Sequence, residues 1–176
     1  MSSSPAHIGS LAVSLTAIGV GLISPVTALA DDVATDPSMP GPVQVATVGT
    51  SADADPAAVT ACAAFAEALD GTSVYYGDFA DSFEGSGYAD PAVTDSNVVG
   101  RTALRQAAAV AMNAANTPGL QPEIADPMRT WSVDATKLLV KMGLRIPGES
   151  LNTTATEMND DATRAQEACA AAGTHA

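Results

Sequence analysis

Two cysteines, Cys62 and Cys169, constrain the fold of this chain more than any other feature, because they are the only cysteines among its 176 residues. Each lies on the apolar face of a predicted helix, one in the first helix and one in the last. In an exported protein such a pair predicts a disulfide. A disulfide that closes the long loop between these two cysteines contributes about 4–5 kcal/mol to stability in the chain-entropy model. The alternative is a pair of buried free thiols that never meet.

Alanine-rich segments with apolar side chains at three- and four-residue spacing predict an all-α domain over residues 56–173. Alanine favours helices, whereas strands draw on β-branched and aromatic residues, and aromatics make up only 4% of the chain. We expect a compact bundle of about five short helices, closed by the disulfide between the first helix and the last. The predicted ranges are 56–69, 73–84, 97–115, 127–142 and 153–171. The predicted starts are Asp55-Pro56 and Asp126-Pro127, and the predicted stops include Asp70-Gly71 and Gly143.

The first thirty residues predict a secretory signal peptide that is cleaved after Ala30. They contain no Asp, Glu, Lys or Arg, and Ala28-Leu29-Ala30 has the small-x-small pattern of a cleavage site. A retained transmembrane anchor is the alternative. Residues 31–55, with three prolines and five aspartates, predict a disordered acidic leader. We therefore expect a secreted or cell-envelope protein with no membrane segment after cleavage.

The distribution of charge excludes some partners. The formal net charge is −13; residues 31–100 carry twelve acids and no base, whereas residues 101–176 carry eight acids and seven bases. The acidic half of the chain repels phosphate backbones and anionic lipid head groups. Neither nucleic acid nor an anionic membrane surface is an expected partner.

The scarcity of histidine limits the chemistry. His7 lies in the predicted signal peptide and His175 is the penultimate residue, which excludes Ser-His-Asp and Cys-His sites and histidine-bound zinc or iron. No catalytic residue, metal or cofactor is expected. An enzyme with this sequence would depend on paired carboxylates, as some glycosidases do, and spacing singles out no such pair.

Aromatic and basic side chains supply two candidate binding sites. Tyr75, Tyr76, Phe79 and Phe83 recur at helical spacing, and together with Trp131 they are the candidate surface for a protein or a small apolar ligand. The alternative is that this stripe is simply core, which is the commoner role of such a pattern. Arg101 and Arg105 lie one helical turn apart and are candidate anion-binding residues. Their alternative role is pairing with acids of the first half.

Four short motifs carry a resemblance to a known family. They are Ala61-Cys62-Ala63-Ala64-Phe65, Gly100-Arg101-Thr102-Ala103-Leu104-Arg105, Trp131-Ser132 with Ala135-Thr136-Lys137-Leu138-Leu139, and Ala168-Cys169-Ala170. Over about residues 57–173 the chain resembles small exported proteins of unknown function from mycobacteria and related actinobacteria. The resemblance implies an exported helical protein, and it brings no activity and no site.

These observations predict an exported, non-enzymatic helical protein of the cell envelope or extracellular space that binds a protein or a small apolar ligand. A carboxylate-dependent hydrolase is one alternative. Buried acids that converge in the structure would favour it, whereas an apolar pocket without acids would not. The other alternative is a purely structural secreted protein with no pocket.

Overall fold

The computed structural model describes residues 40–45 and 49–176, and in that part of the chain all regular structure is helical. The four helices are α1 (Pro56–Phe83), α2 (Pro91–Ala115), α3 (Pro122–Gly143) and α4 (Glu149–Ala171). The all-α prediction is confirmed, whereas the prediction of about five short helices is wrong. The predicted signal peptide and residues 31–39 and 46–48 of the predicted leader lie outside the described residues.

The first two predicted helices form one helix, because α1 continues through Asp70-Gly71. A helical glycine costs about 1 kcal/mol relative to alanine. The buried face nevertheless passes this point without a break, since Leu69, Thr72 and Tyr76 are all buried at three- and four-residue spacing. Continuous burial along α1 therefore overrides the local stop.

Two helix starts share one capping arrangement. The side chains of Asp55 and Asp90 accept hydrogen bonds from the backbone N–H groups of Ala57 (2.7 Å) and Ala92 (2.8 Å), each with proline in the first turn. The predicted start at Asp126-Pro127 is wrong, because α3 begins at Pro122 and Pro127 lies inside it. The helix tolerates Pro127 because Ile124, Met128 and Trp131 bury one continuous face on both sides of it.

The predicted stop at Gly143 is also wrong in detail. The residue with positive φ is Arg145 (53°), and the N–H groups of Arg145 and Ile146 donate to the carbonyls of Met142 (3.1 Å) and Lys141 (3.0 Å). This is a Schellman ending two residues beyond the predicted one. Gly143 serves close packing instead, since a Cβ there would lie 3.2 Å from Cζ of Arg101.

Consecutive helices pack as neighbours around one core. Gly100 of α2 lies against the Tyr75 carbonyl of α1, and Ser132 Oγ of α3 donates to the Ala108 carbonyl of α2 (2.7 Å). Lys141 Nζ of α3 donates to Thr154 Oγ1 of α4 (2.6 Å). The helices α1 and α4 share far less contact than the consecutive helix pairs do. The Cys62–Cys169 disulfide joins α1 to α4, and the Cα atoms of the two cysteines are 6.0 Å apart.

Residues 40–45, which fall within the predicted disordered leader, are hydrogen-bonded to the bundle. We call residues 40–45 the strap. Val43 and Val45 are half-buried against the core, and α4 side chains donate to strap carbonyls. This part of the predicted leader therefore contributes apolar surface that packs against the bundle. No helix in the described part of the chain is long and apolar enough to cross a membrane.

Candidate functional site

The aromatic residues of the predicted ligand surface do not share a surface. Tyr76, Phe79 and Trp131 are fully buried, Phe83 is half-buried, and Tyr75 is 48% exposed. Adjacent residues on a helix point about 100° apart, which separates Tyr75 from Tyr76. The Trp131 ring instead packs edge-on against Phe65 of α1, with ring centroids 5.4 Å apart. Of these five residues, only Tyr75 is well exposed to an external ligand.

The other α1 aromatics form an internal cluster with Tyr88, whose ring lies 4.9 Å from that of Phe83 and 6.3 Å from that of Phe79. Burial raises the pKa of the Tyr76 phenol, with a smaller contribution from Tyr88. Burial also raises the pKa of Tyr88, against the opposing charge of Arg145. Both phenols are therefore neutral at physiological pH, and their side chains act here as packing groups.

The predicted anion-binding residues Arg101 and Arg105 occupy different surroundings. The guanidinium of Arg101 lies over Gly143 at the end of α3, where a cation is favoured by the helix dipole. Arg105 is exposed and borders a groove between α2 and α3. The ion pairs within residues 40–45 and 49–176 are Arg129–Asp126, Lys137–Asp134 and Arg164–Asp161, so neither arginine pairs with an acid of the described first half.

An apolar opening lies over the outer side of α3 and the adjoining side of α2. We call it the α2–α3 groove, and its volume is about 460 Å³. It is lined by Met112, Ser132, Val133, Thr136, Lys137, Val140 and Lys141. A second opening, which Arg105 borders, shares Met112, Ser132 and Thr136 with it, so the two openings adjoin. This groove was not predicted from the sequence.

The groove combines exposed apolar side chains with cations. Val133 and Val140 are seven residues apart, about two helical turns, and therefore lie on the same face of α3. They are 44% and 50% exposed, although α3 already buries its opposite face. Lys141 Nζ donates to Ser150 O and Thr154 Oγ1, both neutral acceptors. Lys137 is bonded to Asp134 (2.7 Å), and this bond raises the pKa of the lysine. No carboxylate lines either opening.

A smaller opening of about 290 Å³ lies between α1 and α2 and includes Tyr75. Its rim carries Val98 and Val99, which are 58% and 48% exposed. It contains Gln106 and Thr102 but no charged side chain. This opening is apolar like the α2–α3 groove, and it lacks the cations.

Two buried acids meet between α3 and α4. Asp134 is 4% exposed and Asp161 is 2% exposed, and each is bonded to a partly exposed base on its own helix, Lys137 and Arg164 respectively. Burial raises the pKa of Asp161; the Arg164 bond opposes this, and the neighbouring Asp134 carboxyl adds to it. Oδ2 of Asp161 is buried and has no hydrogen-bond partner in the structure.

A recognisable pattern in the sequence marks this pair. Asp134 falls between Trp131 and Leu138 in the apolar stripe of α3, and Asp161 falls between Met158 and Ala162 in that of α4. An acid within an apolar helical face indicates a buried carboxyl. Neither acid lines the α2–α3 groove, the opening that Arg105 borders or the opening between α1 and α2. No group of three or more His, Cys, Asp or Glu side chains within residues 40–45 and 49–176 could hold a metal ion.

The architecture defines a class, a four-helix bundle closed by a disulfide between its first and last helices. The chain belongs to the family described as the Rv2240c four-helix bundle domain, whose model matches residues 45–170. The family bears a mycobacterial protein name, which agrees with the resemblance to helical proteins of mycobacteria. Comparisons with curated proteins and with solved structures found no match.

Proposed function

We propose that this protein acts outside the cytosol as a non-enzymatic binding module, and that its ligand is an amphiphile with an apolar tail and an anionic head. The observation that carries the proposal is the α2–α3 groove, in which Val133 and Val140 are exposed beside Lys141, together with the adjoining opening that Arg105 borders. Export is supported by the uncharged first thirty residues and by the disulfide.

Charge complementarity selects this kind of ligand. All the bases except Arg164 lie within residues 101–145, so the cations of a strongly acidic protein are concentrated on α2, α3 and the turn after α3. An apolar tail covers Val133, Val140 and Met112, and an anionic head pairs with Lys141 or Arg105. Burying one valine side chain contributes about 1.5–3 kcal/mol. Charge-assisted bonds to the head contribute specificity.

The test is a calorimetric titration of the oxidised full chain with decanoate, and with decanol as the uncharged counterpart. We expect saturable binding of decanoate that is about tenfold tighter than that of decanol, since one charge-assisted hydrogen bond is lost with the alcohol. The variant Lys141→Gln combined with Arg105→Gln removes this preference. Equal affinity for the two probes in the wild-type protein contradicts the role of the cations.

A matched pair of valine variants locates the site. Val140→Asp places an acid in the groove, and Val98→Asp places one at a similarly exposed position on the α1–α2 opening. We expect the first variant to weaken decanoate binding by at least about tenfold and the second to leave it unchanged. Equal loss in both variants indicates a non-specific charge effect. Absence of binding in the wild-type protein favours a purely structural role.

A carboxylate-dependent hydrolase is the second candidate, because Asp134 and Asp161 are converged and buried and one of them has a raised pKa. A buried carboxyl whose pKa is raised can supply a general acid. It has to contact its substrate, however, and the described openings are lined by neither acid. Hydrolysis of a glycoside or ester panel that is lost in Asp161→Asn would favour this candidate over the binding module.

A further inference from the structure

The strap lies between α4 and α1, where those two helices have little direct contact. Asn159 Nδ2 of α4 donates to the carbonyl of Gly41, and Gln166 Nε2 donates to the carbonyl of Gln44, both at 2.7 Å. On the α1 side, the ring of Pro42 lies 3.7 Å from the position that a Cβ on Gly77 would occupy. We call this surface the α1–α4 groove.

The two amide donors fix the shape of the chain they bind. Asn159 and Gln166 are seven residues apart on α4, which corresponds to about 10.5 Å along the helix. The carbonyls they bind belong to residues only three apart, so the strap advances by more than 3 Å per residue. An extended or polyproline II chain advances at this rate, whereas a helix does not. The sequence Pro40-Gly41-Pro42 favours that conformation.

The recognition is directed mainly at the backbone. Both hydrogen bonds end on main-chain carbonyls, and the strap side chains that the core buries are Val43 and Val45, at the two-residue spacing of an extended chain. The strap carries no charge. A second extended segment with proline and two alternate β-branched residues meets the same requirements.

We propose that the α1–α4 groove is a binding site for an extended, uncharged, proline-containing segment of another protein, and that the strap is its built-in occupant. This site is separate from the α2–α3 groove and does not depend on the ligand proposed for it. A tethered occupant has an effective concentration in the millimolar range. The wild-type chain therefore binds an external segment weakly, and a chain whose strap is displaced binds it strongly.

The experiment uses the full oxidised chain and a labelled peptide of sequence Pro-Gly-Pro-Val-Gln-Val. The variant Val43→Asp with Val45→Asp introduces charges on the buried side of the strap and vacates the groove. We expect this variant to bind the peptide at least about tenfold more tightly than the wild type does, because the tethered competitor is removed. Adding Asn159→Ala and Gln166→Ala lowers that affinity by about tenfold, through loss of two hydrogen bonds. The control Gln106→Ala, at an exposed glutamine of α2, leaves it unchanged.

A second measurement covers the case in which the valine variant does not fold. In the wild-type chain, peptide at about millimolar concentration competes with the strap and shifts the side-chain amide resonances of Asn159 and Gln166. The reversed peptide Val-Gln-Val-Pro-Gly-Pro does not. Unchanged resonances overturn the proposal, as does a folded valine variant that binds no peptide. A dimer whose formation requires Val43 and Val45 overturns it in favour of strap exchange between two copies.

Discussion

Reduction of the Cys62–Cys169 disulfide is expected to destabilise the bundle severely. The crosslinked residues are 107 apart in sequence, and in the chain-entropy model a loop of that length corresponds to about 4–5 kcal/mol, with about 2–5 kcal/mol typical when a native disulfide of a small domain is removed. The free energy of unfolding of a whole domain is about 5–15 kcal/mol. The loss therefore amounts to a large share of the total.

The structure indicates where the effect will appear first. Because α1 and α4 share little direct contact, they are linked by the disulfide, by the strap, and by the hydrogen bond from the Ser51 N–H before α1 to the Gly173 carbonyl after α4. Without the disulfide, we expect backbone amides of α1 and α4 to exchange with solvent sooner than those of α2 and α3, through local opening. Hydrogen exchange at individual residues measures this order.

The assay is urea denaturation followed by circular dichroism at 222 nm, a wavelength that reports helix content. Three samples are compared: oxidised wild type, reduced wild type, and Cys62→Ala with Cys169→Ala. Reduced wild type keeps both sulfur atoms, so its difference from the oxidised form isolates the crosslink, whereas the double variant also reports lost packing at two fully buried positions. A reduced protein within about 1 kcal/mol of the oxidised one would refute the reasoning.

Further predictions concern local features of the bundle. Because burial raises the folded-state pKa of Asp161 above its unfolded value, the contribution of this carboxyl to the free energy of unfolding is present at low pH and is lost as pH rises through the raised pKa. Urea titrations from about pH 4 to about pH 7 should show this fall in stability in the wild type, and Asp161→Asn should make the pH dependence flatter. Arg145 has positive φ, so Arg145→Gly should stabilise the protein by up to about 1 kcal/mol, whereas Gly85→Ala, at another positive φ with open space around it, should destabilise it by about as much. If melting temperatures moved the same way in both, backbone strain would not be the cause. Gly100→Val should cost about 1–3 kcal/mol, because its Cβ would lie 3.3 Å from the Tyr75 carbonyl; an unchanged melting temperature would argue against close helix contact there.

The all-α class and the Cys62–Cys169 disulfide could be predicted from the sequence. Both predictions depend on apolar side chains at three- and four-residue spacing, and the folded bundle buries these side chains along each helix. Prediction from the sequence fails at boundaries where local and global effects compete. Asp70-Gly71 is a good local stop, but Tyr76 continues the buried face of α1. Asp126-Pro127 is a good local start, but burial along α3 begins earlier, at Ile124.

The candidate site was harder to predict than the fold. An aromatic stripe has the same spacing whether a ligand or the core covers it, and here the core covers Tyr76, Phe79 and Trp131. The groove residues Val133 and Val140 carry a weak pattern, an apolar pair on the face of α3 opposite its main stripe. That pattern becomes informative only once α2 is placed beside α3, because Met112 completes the groove.

The most direct test of the proposed binding site is the methyl spectrum of the oxidised protein labelled at methionine. Met112 lines the α2–α3 groove, whereas Met158 is buried between helices and lines none of the described openings. On titration with decanoate, we expect a saturable shift of the Met112 methyl resonance while that of Met158 stays in place. A Met112 resonance that does not move, or that moves only together with Met158, would contradict it.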